Sequence, residues 1–204
     1  MHITWHGNSF IKLQNGDRTI LLDPFVKQHG ITAPRLQKAD IVVFSSPSFS
    51  EDYAIKDAFT ILTPGEYEVK SAFVWALSVP GGQMISMIDV DQVRYVHLGQ
   101  ISALDNGLLE KELEVIEGAD VLFIPVGGAP TLDAKRAAEV VSKIEPRVII
   151  PIMMHIPGTS LKLSPATAFT KEMGVTAEPQ DKIKISKSDL PQEETKVFLL
   201  NAHG

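Results

Sequence analysis

The sequence predicts a mixed α/β chain in which β-sheets are layered between helices. Two observations carry that expectation. The first hundred residues hold short β-type runs broken by turn residues, and from residue 106 onward amphipathic helical patterns alternate with continuous apolar strands. Helices that alternate with strands after a strand-rich start suggest sheets covered by helical layers.

Taken in order, the runs His2–Trp5, 10–13, 19–22 and 41–44 are expected as strands, with Asn15-Gly16 marking a hairpin between two of them and an antiparallel sheet as the result. Further strands are expected at 73–79, 84–88 and Val93–His97, separated by Gly81-Gly82 and by the acidic stretch 89–91, as in a meander. Residues 106–117 place Leu108, Leu109, Leu113, Val115 and Ile116 among charges with mostly helical spacing, and Val121–Pro125 is a continuous apolar run typical of a buried strand. Residues 132–144 give the clearest helix. Thr131 is its expected N-cap, Asp133 falls in its first turn, and Leu132, Ala137, Val140, Val141 and Ile144 are available to face a sheet. A buried strand at 148–150, a helix at 165–173 with Pro165 in its first turn, and a strand at 196–200 complete the expectation.

With 204 residues, 44% of them hydrophobic, and a mean hydropathy of +0.07, the chain suits one domain spanning residues 1–204 with a sizeable core. Twenty-five acidic and 19 basic side chains give a formal net charge of −6 with no dense Lys/Arg cluster, so no nucleic-acid partner is expected. The N-terminal MHITWHGNSFIKL alternates polar and apolar residues and lacks the basic and apolar regions of a signal peptide. The apolar stretch at 148–154 is far short of the ~20 residues that span a bilayer, so no membrane association is expected. The absence of cysteine removes disulfides and thiolate metal sites and fits a cytoplasmic address.

Eight segments then fall into a familiar succession: ITWHGNSF (3–10), ILLDPF (20–25), ADIVVFSS (39–46), PGEYEV (64–69), VHLGQ (96–100), DVLFIPVGG (120–128), TLDAKRAAEVV (131–141) and VIIP (148–151). In this order they resemble the metallo-β-lactamase superfamily, nearest to the small Zn-dependent hydrolases similar to bacterial ascorbate-6-phosphate lactonase. The resemblance runs through nearly the whole chain. It implies a four-layer αββα sandwich with the site at one edge of the two packed sheets.

The same resemblance locates the metal ligands of the family, and here the chain departs from it. The family's HxHxDH positions fall on Ser46, Ser48, Ser50 and Glu51, and its HLGD becomes His97-Leu98-Gly99-Gln100. Its IPMH histidine falls on Met153, with His155 two places further on; the histidine before Gly81 falls near Val79 or Pro80, and an early GHS is Gly7-Asn8-Ser9. No histidine lies between Gly30 and Val96, so a small shift of alignment does not restore the motif. Zinc in such sites is held by neutral imidazole and carboxylate, and its charge lowers the pKa of the bound water to about 7. Serine hydroxyls compete poorly with water for zinc, Gln100 carries no charge, and a thioether such as that of Met153 suits copper(I) better. The expectation is a scaffold whose zinc-dependent hydrolysis is lost, with no metal or other cofactor, binding an unknown small molecule or protein.

Other readings of these residues stay open at this stage. Ser48 and Glu51 have the SxxE spacing of a capping box. A serine nucleophile from Ser46, Ser48 or Ser50 with His155 or His97 as base and Asp23 as orienter would make a metal-free hydrolase. Zinc or another divalent metal at a relocated site is the alternative cofactor, for instance a hard cation on Glu51, Asp52 and Asp23. Asp23 matches an aspartate that supports the family's metal site, yet Asp-Pro also makes an ordinary turn. Gly127-Gly128 ahead of Thr131 could hold an anion, and a homo-oligomer remains possible.

Overall fold

The structure, a computed structural model, describes residues 1–36, 38–46, 53, 55–101 and 109–203. In chain order the elements are β1 (His2–Trp5), β2 (Ile11–Asn15), β3 (Arg18–Leu22), β4 (Lys27–Gln28), β5 (Ile31–Thr32), β6 (Ile41–Val43), β7 (Phe59–Ile61), β8 (Gly65–Val69), β9 (Ala72–Val79), β10 (Gln83–Val90) and β11 (Val93–His97). They continue with α1 (Leu109–Ile116), β12 (Val121–Pro125), α2 (Ala134–Ile144), β13 (Val148–Ile152), α3 (Ala166–Glu172), β14 (Pro179–Gln180), β15 (Ile183–Lys184), β16 (Lys196–Val197) and β17 (Leu199–Leu200). One sheet has the order β15-β1-β2-β3-β6-β7 and the other β16-β13-β12-β11-β10-β9-β8.

Alternation along the strands shows how the layers meet. Ile20, Leu22, Ile41 and Val43 point into the large core that also takes Val74, Ile88, Tyr95 and Phe123 of the seven-stranded sheet. Leu21 and Val42, one residue out of phase, point to the opposite face and join Phe10, Phe25, Ile31 and Phe44 in a second cluster. The apolar stripe of α2, made by Ala137, Val140, Val141 and Ile144, belongs to the large core, and α3 packs beside α2. Two sheets face to face with helices outside them are the expected fold class. Among the described residues, the outer face of the six-stranded sheet is covered by the second cluster and by the β4–β5 ribbon rather than by a helix.

Several local expectations change. The β1–β2–β3 meander is antiparallel with a two-residue Gly16-Asp17 turn, but β3–β6 and β6–β7 are parallel, because long connections rather than hairpins return the chain. Thr131 does not cap α2. Asp133, with extended backbone, accepts the Arg136 N–H at 2.9 Å, while the Thr131 hydroxyl donates to the Gly128 carbonyl at 3.1 Å and closes the preceding turn. The strand expected at 196–200 splits: β16 pairs with β13 in the large sheet, and β17 pairs with β14. The expected Ser48–Glu51 capping box and the first residues of the helix expected at 106–117 lie outside the described residues. No helix among the described residues is long and apolar enough to cross a membrane.

Candidate functional site

Four strands end at the same edge of the sandwich, and the loops that follow them converge there. Asp23 follows β3, Ser45 and Ser46 follow β6, Gly99 and Gln100 follow β11, and Met153 follows β13; the Gly7-Asn8-Ser9 turn after β1 closes the group. Rigid strand ends of this kind position loop side chains with little freedom.

Asp23 is 2% exposed and adopts φ +47, which turns the chain so that its N–H donates to the Val43 carbonyl at 2.8 Å. Its carboxylate accepts two bonds from one residue: the Ser45 N–H at 2.5 Å and the Ser45 hydroxyl at 2.7 Å. Gly99 (φ +60) lies directly over this pair, and a Cβ there would stand 2.4 Å from the Ser45 Cβ and 3.4 Å from Asp23 Oδ2. The loop after β11 therefore rests on the Asp23–Ser45 unit at backbone distance.

Beside it is a cluster of carboxamides. Gln28 Oε1 accepts from Asn8 Nδ2 at 3.1 Å and from Gln100 Nε2 at 3.3 Å; Gln100 Nε2 also donates to the Ser9 hydroxyl at 3.0 Å, and Asn8 Nδ2 to the Gln28 carbonyl at 3.2 Å. His97 is 2% exposed, and its Nε2–H donates to the Ser9 carbonyl at 2.9 Å. Burial pushes the His97 pKa below its ordinary value, even though nearby Asp23 and the Ser9 bond pull the other way, so the ring is neutral at pH 7. The Asn8 carbonyl accepts both the Trp5 indole N–H at 2.9 Å and the Met153 N–H at 3.0 Å, which fixes the fully buried Met153 against the same turn.

The structure thus gathers Asp23, Gln100 and Met153 into one neighbourhood, and Ser46 follows directly on Asp23's partner Ser45. Ser48, Ser50 and Glu51 lie outside the described residues. His155 is exposed, and its backbone N–H donates to the Ser164 carbonyl at 2.9 Å. It lines a neighbouring cleft, to which none of Asp23, Ser46, Gln100 and Met153 contributes. Sequence reading missed three contributors, Ser9, Ser45 and Gln28. Ser45 stands one place before the serine that the alignment selects, and Gln28 sits in a short ribbon whose two-residue strands carry no periodic signal.

The donors in this neighbourhood do not fit a zinc ion. Zinc asks for imidazole nitrogen, thiolate or carboxylate oxygen. The two Asp23 oxygens are engaged by Ser45, Gln100 presents its N–H₂ group to its neighbours, and Met153 supplies a thioether. No three His, Asp or Glu side chains converge among the described residues. What the arrangement offers instead is an uncharged set of amide and hydroxyl groups beside one buried carboxylate.

The family described as beta-lactamase superfamily domain matches residues 2–153. A UPF0173 metal-dependent hydrolase from Ligilactobacillus salivarius is 23% identical, with 74% of this chain and 84% of that protein covered. A UPF0173 protein from Pyrococcus abyssi is 22% identical, with 74% and 82% covered. Among solved structures, a Thermotoga maritima protein described as a Zn-dependent hydrolase of the metallo-beta-lactamase superfamily superposes with a TM-score of 0.81 at 25% identity, covering 98% of both chains. The metallo-beta-lactamase fold protein YhfI from Bacillus subtilis has a TM-score of 0.63 at 12% identity, covering 97% of this chain and 95% of that one, a likeness of fold alone. The matched span runs from β1 through the end of β13 and takes in every loop that meets at this sheet edge, and on that ground the chain belongs to the beta-lactamase superfamily domain family, in its branch of metallo-β-lactamase-fold, metal-dependent hydrolases.

Proposed function

We propose that this chain keeps the hydrolase scaffold but has exchanged zinc-dependent hydrolysis for binding of a small molecule or protein partner at a neutral, amide-lined site. The observation that carries the reading is the meeting of Asn8 Nδ2 and Gln100 Nε2 on a single acceptor, Gln28 Oε1. Gln100 stands where the resemblance expects an aspartate that bridges two metal ions. Its N–H₂ group points into the cluster, so a cation placed there would meet donor hydrogens rather than lone pairs. The Asp23–Ser45 unit supports the same reading, because each carboxylate oxygen already accepts a short bond from Ser45.

Elemental analysis of the purified protein together with turnover assays on bis-p-nitrophenyl phosphate and a simple lactone tests the proposal. The expected result is less than one equivalent of zinc, manganese or iron per chain and no hydrolysis above background. Stoichiometric metal with turnover that Glu51→Gln removes would overturn the proposal in favour of a relocated metal site. Metal-free turnover abolished by His155→Ala would overturn it in favour of a serine hydrolase.

A further inference from the structure

We propose that the cleft next to the replaced metal site is a binding site for a neutral, largely apolar small molecule of metabolite size. The cleft has a volume of about 580 Å³, within the roughly 300–1,000 Å³ usual for small-molecule sites. Its build is that of a pocket with a floor and a rim. Trp5, Met154, Leu199 and Leu200 are buried and form an apolar base, while Thr32, His155 and Asn201 are exposed and offer hydrogen-bonding groups at the mouth.

Among the described residues, no lysine, arginine, aspartate or glutamate lines it. His6, the buried histidine of the lining, donates from Nδ1 to the His203 carbonyl at 3.0 Å, and burial holds its pKa below the ordinary value, so it adds no charge at pH 7. A ligand anion entering this cleft would lose its hydration without gaining a countercharge, whereas an uncharged apolar body would bury its surface against the floor. Two of the lining segments are tied to each other before any ligand arrives: the Ser160 N–H donates to the His29 carbonyl at 2.8 Å, beside lining residues Gly30 and Pro157.

Most of the lining comes from residues 154–202, beyond the segment that matches the family, so the cleft is largely a product of this chain's C-terminal portion. It nevertheless communicates with the amide cluster, since the Asn8 carbonyl holds both the Trp5 indole of the floor and the N–H of Met153, the residue before Met154. Among the described residues, none matched to a family metal ligand lines the cleft. A metal found at the neighbouring site would therefore leave this inference standing.

Two fluorescent probes that share one skeleton test it: neutral N-phenyl-1-naphthylamine, and 1-anilinonaphthalene-8-sulfonate, which adds a sulfonate. The neutral probe is expected to bind saturably at one per chain, and the sulfonate at least about tenfold more weakly. Ala166→Trp, which fills the cleft from the start of α3, should weaken the neutral probe by about tenfold or more while circular dichroism and Tm stay unchanged. Asn201→Trp at the exposed rim serves the same purpose should Ala166→Trp fold poorly. Absence of saturable binding, equal or tighter binding of the sulfonate, or undiminished binding by a folded filling variant would overturn the proposal.

Discussion

Gly99 has no room for a methyl group. Its φ of +60 already disfavours any side chain, and the Cβ would collide with Ser45 where Ser45 is pinned by Asp23. Gly99→Ala is expected to lower the unfolding free energy by more than about 2 kcal/mol in chemical denaturation. Tyr95 is the converse case, a buried residue with one group too many. Its hydroxyl has no hydrogen-bond partner among the described residues, and burial pushes its pKa up. Tyr95→Phe removes an unsatisfied polar atom and keeps the ring that stacks on Phe123 at 6.4 Å, so it should raise stability by about 1 kcal/mol on the same measurement. Asp23 shows the limit of reading residues alone. Its importance is visible in ILLDPF, but that its carboxylate accepts from both the N–H and the hydroxyl of Ser45 is decided only by the turn after β6, which buries Ser45 beside it.

Elements with strong patterns are legible at nearly their true bounds, and those without are not. β12 coincides with its expected run because a strand buried on both faces is a continuous apolar word between turn residues, and β11 coincides with its own because the Asp91-Gln92 turn marks where it begins. The two-residue strands β4, β5, β14 and β15 offer no such word, and they arise only because a neighbouring backbone lies alongside. For α2 the apolar stripe is correctly expected and the cap is not. Asp133→Ala should destabilise the protein by about 1 kcal/mol through loss of the bond to the Arg136 N–H, as thermal denaturation would report. The exposed edge strand β8 carries Glu66 and Glu68 on either side of Tyr67. Antiparallel pairing of two copies about Tyr67 would set glutamate against glutamate, so this edge resists self-association.

Across the whole molecule, two buried imidazoles set the acid side of the stability profile. His6 and His97 both have pKa values lowered chiefly by burial from an ordinary value of 6.5. In the unfolded chain each takes up a proton near that value, whereas the folded chain resists protonation until lower pH. The unfolded state therefore binds more protons, and stability rises with pH in this window. Stability should be fully present above 6.5 and should decline as pH falls from there toward the lowered folded values. Denaturation curves at a series of pH values between about 7.5 and 5.5 would show the decline, and His97→Gln would make it shallower. A separate ionic tie braces the far end of the large sheet, where buried Asp120 accepts the Arg94 N–H at 2.9 Å and pairs with Lys187 at 3.3 Å and Arg147 at 3.5 Å. By itself the sequence determined the layered fold and the family, since apolar periodicity and an ordered set of segments are local properties written along the chain. It also determined that amide, hydroxyl and thioether groups stand where metal ligands are expected, because that is a matter of side-chain identity. Only the tertiary structure decided that Gln28 joins Asn8 and Gln100, that Asp23 holds Ser45, and that C-terminal residues wall a cleft beside them. Those contacts join residues far apart along the chain, and long-range packing leaves no periodic trace in sequence.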